Sequence, residues 1–146
     1  IEGGVLGLVK KKFLSSSKFV LPIDVVVLRK NRRLTIPVEK ICQQDKIYDI
    51  GPHTSQIIKK IIEQSRFILW NGPLGFVEGG FVQGTNHLAK VLAKSRAEVV
   101  VGGGDTIAVL DSLKLTSRYS FVSTGGGAML DFLAKGTLPG IKALLK

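Results

Sequence analysis

The stretch Glu98-Val99-Val100-Val101-Gly102-Gly103-Gly104-Asp105-Thr106 carries the pattern on which the fold prediction rests. A short apolar run ends in three glycines, and the apolar residues that follow recur at helical spacing. The same order returns where Ser120-Phe121-Val122-Ser123-Thr124 precedes Gly125-Gly126-Gly127-Ala128. Glycines lack a Cβ atom, so their N–H groups can close on a bulky anion, and a helix start adds further free N–H groups. Two such loops predict a phosphate-binding site.

A third unit of the same kind precedes these two loops. Arg66-Phe67-Ile68-Leu69-Trp70 ends in Asn71-Gly72-Pro73-Leu74-Gly75, and Leu88, Val91 and Leu92 follow at helical spacing. Short strands that alternate with helices favour a parallel sheet with crossover helices. The sequence therefore predicts an α/β fold with a three-layer, Rossmann-like parallel sheet. Because ligands of such sheets bind beyond the carboxyl ends of the strands, the three loops are expected at one binding edge.

The first half of the chain gives weaker signals. The expected elements are, in chain order, a short helix at 5–14, a buried strand at 19–28, an exposed loop or turn at 29–33, a short extended segment at 47–50 and a helix at 54–64. Thr54 is expected to cap the last of these, because a threonine hydroxyl accepts hydrogen bonds from free N–H groups at a helix start. Leu138-Pro139-Gly140 is expected to end the final helix before a short basic tail.

Several ordered motifs resemble the signatures of phosphoglycerate kinase. They are Leu21-Pro22-Ile23-Asp24-Val25-Val26-Val27, Asp49-Ile50-Gly51-Pro52, Trp70-Asn71-Gly72-Pro73-Leu74-Gly75, Gly84-Thr85, the two glycine loops, and Leu138-Pro139-Gly140-Ile141. The resemblance implies that residues 1–146 form one partial nucleotide-binding domain, truncated at its amino-terminal side, with the triose-binding domain absent. The missing starting methionine agrees with that expectation.

The resemblance also implies a cofactor, ADP or ATP with Mg²⁺, and a role for each matched residue. Asp105 would approach the magnesium ion and Thr106 the phosphates, while the N–H groups of Gly104 and Gly127 would face the transferring phosphoryl group. The other expected nucleotide-binding residues are Gly3 and Gly4 at the adenine face, Asn71 and Pro73 beside the nucleoside, Glu78 at the ribose hydroxyls, and the loop glycines Gly102, Gly103, Gly125 and Gly126. 3-Phosphoglycerate would bind only through the missing domain.

Simpler interpretations stay open at several of these positions. A run of three glycines can be a tight connection, Asp105 can cap a helix, and Glu78 can be a solvated carboxylate. The sequence also departs from the family pattern. Ile47 and Tyr48 replace residues near the adenine, and the loop after Glu78 is one residue short. Phosphate and magnesium contacts are therefore expected to be better preserved than base recognition.

Composition limits the remaining classes of protein. The formal net charge is +10, with 13 Lys and Arg against 6 Asp and Glu in residues 1–70. Lys10-Lys11-Lys12 and Arg29-Lys30-Asn31-Arg32-Arg33 supply much of this charge, which allows binding to nucleic acid. No aromatic residues interleave with them, which argues against nucleic acid as a partner. The single cysteine, Cys42, permits no disulfide within the chain and favours a cytoplasmic protein. No apolar run is long enough to cross a membrane.

Three hypotheses follow from the sequence. The first is the nucleotide-binding part of a phosphoglycerate kinase, which is a phosphotransferase of glycolysis, present as a monomer and inactive alone. The second is a non-catalytic module that binds nucleotide or polyphosphate. The third is a basic fragment that binds nucleic acid.

Overall fold

A computed structural model describes residues 16–145. Its first half contains three strands, β1 (Asp24–Arg29), β2 (Arg32–Pro37) and β3 (Ile47–Ile50), in an antiparallel sheet of order β2-β1-β3. We call it sheet A. Val25, Val27 and Ile36 form its buried apolar cluster on one face. The expected helix at 5–14 and the lysine run Lys10-Lys11-Lys12 lie outside the described residues.

Two expectations for this half need correction. The strand expected at 19–28 begins only at Asp24, beyond Pro22, because proline lacks the N–H group that a sheet requires. The expected turn at 29–33 consists of Lys30 and Asn31 alone, whose φ angles of 47° and 58° suit a two-residue hairpin. Arg32 and Arg33 instead pair with β1 in strand β2. The basic cluster is therefore a hairpin, not a free loop.

The second half confirms the predicted parallel sheet. Its strands are β4 (Phe67–Asn71), β5 (Glu98–Gly102) and β6 (Phe121–Ser123), and the order is β4-β5-β6. We call it sheet B. The helices of the described chain are α1 (Pro52–Gln64), α2 (Gln83–Leu92), α3 (Gly104–Ser112), α4 (Gly126–Lys135) and α5 (Pro139–Leu144).

Three helix boundaries differ from the predictions made for them. Helix α1 begins at Pro52 with Gly51 as its cap residue, so the predicted capping role of Thr54 is wrong. Proline suits this first position because its missing N–H would have no helical partner there. Helix α4 ends at Gly136 in the left-handed conformation, and Pro139 starts helix α5 instead of ending a helix.

The main core lies between sheet B and helices α1, α2 and α3. It is formed by Ile62, Trp70, Leu88, Ala89, Leu92, Val99, Val101, Leu110 and Tyr119. Trp70 is 6 % exposed, as expected of a packed strand end. Helix α4 approaches the opposite face, because a Cβ atom on Gly102 would meet the methyl group of Met129. Much of that face is open, and Phe67 and Phe121 are 59 % and 60 % exposed. Within residues 16–145, no helix is long and apolar enough to cross a bilayer.

Candidate functional site

The two glycine loops meet around the side chain of Asn71, the last residue of β4. A Cβ atom on Gly102 or on Gly103 would lie 3.1 Å from Oδ1 of Asn71, and one on Gly126 would lie 2.6 Å from it. A Cβ on Gly126 would also come within 2.5 Å of the backbone nitrogen of Gly103. Gly103 has a φ of 98°, which side chains rarely adopt. These three glycines therefore permit close contact between the loops.

The next glycines of both loops are open to solvent. A Cβ atom on Gly104 or on Gly127 would meet nothing within 4 Å, and both residues are exposed. Gly104 begins α3 and Gly127 is the second residue of α4, and neither helix has a side chain that caps its start. The first N–H groups of an α-helix have no partner inside the helix. Two helix starts thus present free N–H groups at the carboxyl edge of sheet B, where an anion is favoured.

Asp105 is exposed in the first turn of α3. Its carboxylate makes no hydrogen bond or ion pair with the residues that the structure describes, and it does not cap its helix. In the same part of the chain, no three His, Cys, Asp or Glu side chains converge on a point where a metal ion could bind. Magnesium often takes one or two carboxylates together with phosphate oxygens and water. A single free carboxylate beside two uncapped helix starts fits that preference.

Thr106 is fully buried, unlike its neighbour Asp105. Its hydroxyl accepts a hydrogen bond of 3.1 Å from the backbone N–H of Gly72. The carbonyl of Gly72 in turn accepts a hydrogen bond of 2.7 Å from the indole N–H of Trp70. Thr106 therefore ties the loop after β4 to the start of α3. A contact between Thr106 and phosphate stays a prediction, and the groups still free for it are the backbone N–H and the hydroxyl hydrogen.

The residues expected at the nucleoside lie in the segment after β4. Pro73 is half-buried, and Glu78 is exposed on the short 3-10 turn Val77–Gly79. Within the described part of the chain, Glu78 has no hydrogen bond or ion pair. The structure brings Asn71 to the glycine loops but shows no contact from Pro73 or Glu78 to them. Gly3 and Gly4, expected at the adenine face, lie outside the described residues.

Tyr48, one of the two departures noted in the sequence, belongs to an aromatic cluster. Its ring stacks on Phe81 with centroids 4.5 Å apart, and it lies 6.2 Å from the ring of Phe76. Ile47 is 57 % exposed. The side chain of Tyr48 therefore packs against the segment that carries Glu78.

Two buried carboxylates of sheet A cap helices that pack against sheet B. The sequence did not predict this role for either residue. Asp24 in β1 accepts hydrogen bonds from the backbone N–H groups of His53 (3.0 Å) and Thr54 (2.7 Å) at the start of α1. Burial alone would raise the pKa of Asp24, but the hydrogen bonds from Thr54 and His53 outweigh it and hold that pKa below 3.8. Gly51 is required beside it, because any Cβ there would overlap the Asp24 carboxyl group.

Asp49 in β3 plays the same part for α2. It accepts a hydrogen bond of 3.0 Å from the N–H of Gly84, and burial raises its pKa despite its hydrogen bonds to backbone N–H groups. A Cβ on Gly75 or on Gly84 would overlap this carboxyl group. Thr85 is fully buried, and its hydroxyl accepts a hydrogen bond of 3.0 Å from the N–H of Leu74. These motif residues therefore have structural roles.

The comparisons with known proteins agree with the motifs. The family model described as phosphoglycerate kinase matches residues 5–136. The phosphoglycerate kinase of Coxiella burnetii is 45 % identical over 129 residues, which are 85 % of this chain and 33 % of that protein. The phosphoglycerate kinase of Rubrobacter xylanophilus is 42 % identical over 135 residues, covering 89 % of this chain and 34 % of that protein.

Solved structures of phosphoglycerate kinases superimpose on the same part of the chain. The structure from Coxiella burnetii gives a TM-score of 0.76 at 43 % identity, and covers 86 % of this chain and 34 % of its own. The crystal structure from Pyrococcus horikoshii gives a TM-score of 0.80 at 35 % identity, with 97 % and 37 % coverage. The chain thus spans about a third of the length of the relatives that it matches.

Proposed function

This chain belongs to the phosphoglycerate kinase family, and from that membership we propose that it binds Mg-ADP and Mg-ATP at the carboxyl edge of sheet B. The complete enzyme would transfer a phosphoryl group between 1,3-bisphosphoglycerate and ADP. The triose would bind to a part outside these 146 residues, so we expect no turnover from this chain alone. A cytoplasmic, monomeric protein is part of the same proposal.

One observation carries the proposal. Two uncapped helix starts lie side by side, with the exposed residues Gly104 and Gly127 at their openings and the free carboxylate of Asp105 next to them. The N–H groups and helix dipoles favour the phosphates of a nucleotide. The carboxylate would supply an oxygen ligand to magnesium, which takes phosphate oxygens as well.

The same groups suit phosphoryl transfer. Charge spreads over the equatorial oxygens of a transferring phosphoryl group, so catalysis depends mainly on positioning and electrostatic stabilisation. N–H groups of Gly104 and Gly127 that are fixed by their helices need little reorganisation to stabilise that charge. Magnesium, when bound, would neutralise part of the phosphate charge. The acceptor of the reaction is already an ionised oxygen, so no general base is needed.

The two alternative hypotheses differ in how the structure supports them. A polyphosphate-binding module would use the same glycine loops but not the segment after β4 that carries Pro73 and Glu78. Such a module should bind ADP and pyrophosphate with equal affinity. Binding of nucleic acid gains less support, because Arg29 is held by Asp45 and Arg33 contacts Gly80 and Phe81. Two of the four cations in the basic hairpin therefore have partners within the chain.

The test is calorimetric titration of the purified chain with ADP, with and without magnesium. Asp105→Asn removes the proposed magnesium ligand. Glu98→Gln is the matched control, because it neutralises an exposed carboxylate at the opposite end of β5, about 13 Å along the strand from the loop. We expect magnesium-dependent binding that Asp105→Asn weakens on the order of tenfold and Glu98→Gln leaves unchanged.

Two results would contradict the proposal. One is the absence of ADP binding to a wild-type chain whose circular dichroism shows a folded protein. The other is equal affinity of Asp105→Asn and Glu98→Gln for Mg-ADP. A steep salt dependence of RNA binding that is unaffected by Asp105→Asn would favour the nucleic-acid hypothesis instead.

A further inference from the structure

Arg33 connects the basic hairpin of sheet A to the segment that carries Glu78. Its Nη1 donates a hydrogen bond of 3.0 Å to the carbonyl oxygen of Gly80. The guanidinium carbon lies 4.2 Å from the ring centroid of Phe81, which is a cation–π distance. Phe81 is buried between this guanidinium and the ring of Tyr48. One exposed arginine thus holds two consecutive residues at the end of the segment.

The segment itself is a small closed loop at residues 76–81. The N–H of Phe81 donates to the carbonyl of Phe76 (3.0 Å), and the N–H of Gly80 donates to the carbonyl of Val77 (2.9 Å). The N–H of Phe76 donates to the carbonyl of Tyr48 in β3 (2.7 Å), which fixes the beginning of the loop. Arg33 fixes its end. The loop is therefore attached to sheet A at both ends, and Glu78 projects from the turn between them.

The attachment at Gly80 restrains a flexible position. Gly80 adopts a φ of 74°. Glycine can take up this conformation and many others at little cost, so its backbone is not fixed by its own geometry. The side chain of Glu78 has no hydrogen-bond partner in the described chain, so its position depends on that of the turn on which it lies. The hydrogen bond and the stacked guanidinium of Arg33 together limit the orientations of the peptide that follows this turn.

We propose that Arg33 is a positioning residue that holds the loop at 76–81 so that Glu78 reaches the ribose hydroxyls, and that it thereby sets selectivity for a nucleotide over a bare polyphosphate. The inference rests on the proposed function. Its ligand class is the ribose of a nucleoside diphosphate. Arg33 acts from sheet A, through Gly80 and Phe81, without touching the phosphates.

The experiment compares Arg33→Met with Arg32→Met. Both remove one positive charge from neighbouring positions in β2, but within residues 16–145 the side chain of Arg32 makes no hydrogen bond or ion pair. Dissociation constants are measured for Mg-ADP and for Mg-pyrophosphate. We expect Arg33→Met to weaken the binding of Mg-ADP by about threefold to tenfold more than Arg32→Met does. Both variants should affect Mg-pyrophosphate equally. Arg33→Lys should fall between the two, because lysine keeps the charge but lacks the planar stacking group.

A double-mutant cycle separates positioning from general destabilisation. If Arg33 acts through Glu78, the double variant Arg33→Met/Glu78→Gln should bind Mg-ADP as tightly as Glu78→Gln alone. Additive losses, or equal losses for ADP and pyrophosphate, would overturn the inference while leaving the proposed function standing. Absence of Mg-ADP binding by the folded wild-type chain would overturn both.

Discussion

Replacing Asp24 with alanine should lower the free energy of unfolding more than replacing an exposed carboxylate does. Asp24 is 4 % exposed and lies in β1, yet its carboxylate takes the place of a side-chain cap for helix α1. Alanine removes the acceptor and leaves the N–H groups of His53 and Thr54 without a partner. The cost depends on how many of those donors can find another acceptor.

The structure limits that cost. The Thr54 hydroxyl bonds to the Asp24 carboxylate at 2.6 Å, but it also lies 3.0 Å from the Asp24 backbone carbonyl and can keep that acceptor. The N–H of His53 is only partly buried, so water can replace part of its bond. The N–H of Thr54 is buried and has no substitute. At about 1.5–3 kcal/mol for a hydrogen bond to a charged group, the expected loss is about 2–4 kcal/mol. Asp24→Asn keeps one acceptor oxygen and should lose about half as much.

The assay is urea denaturation followed by far-UV circular dichroism at pH 7 and at lower pH values. Asp131→Ala is the control, because it removes an exposed carboxylate whose ion pair with Lys135 is worth about 0.3–0.5 kcal/mol. The folded pKa of Asp24 is lower than its usual 3.8, so its contribution is fully present above pH 3.8. It is lost as the pH falls through the folded pKa. The difference between wild type and Asp24→Ala should therefore shrink in acid.

Two measurements would refute this reasoning. The first is a loss for Asp24→Ala no greater than that for Asp131→Ala at pH 7. The second is a difference between wild type and Asp24→Ala that stays constant from pH 7 to well below pH 3.8. Either result would mean that the N–H groups at the start of α1 are satisfied by water and that the carboxylate adds nothing.

Two further predictions concern the framework of the site. Gly84→Ala should destabilise the chain by about 1–3 kcal/mol, because its Cβ would overlap the fixed carboxyl group of Asp49. Gly140→Ala should have little effect on the urea midpoint, because a Cβ there would meet nothing within 4 Å. Equal midpoints for the two variants would show that Asp49 can move. Thr106→Val should lower the free energy of unfolding by about 1–2 kcal/mol, because it leaves the N–H of Gly72 unpaired. Thr106→Ser keeps the hydroxyl and should retain most of this stability. A valine variant as stable as the serine variant would argue against this hydrogen bond.

The parallel sheet and its loops could be predicted because their signals are local. Val99, Val100 and Val101 mark a buried strand, and the glycines directly after them mark a loop that opens a helix. Three such units in sequence allow few arrangements other than parallel strands with crossover helices. The predicted loops therefore lie at one edge, as the contacts of Asn71 with both glycine loops confirm.

The different roles of the individual glycines could not be predicted in this way. Gly103 and Gly126 face each other across the contact between the loops, while Gly104 and Gly127 face open space, although all four belong to the same two motifs. A sequence of adjacent glycines carries no information on which of them another segment approaches. The same holds for Thr106, whose burial depends on its contact with Gly72 in a different loop.

The sequence by itself determined the α/β class of the second half, the position of the glycine loops and the family to which the chain belongs. Only the tertiary structure decided that Asp24 and Asp49 cap helices α1 and α2, and that Arg33 holds the loop carrying Glu78. These contacts join residues separated by 30, 35 and 47 positions. Periodicity and capping rules describe interactions within one segment, because they arise from the geometry of a single helix or strand. A carboxylate that caps a distant helix leaves no local pattern, so its role becomes visible only when the chain is folded.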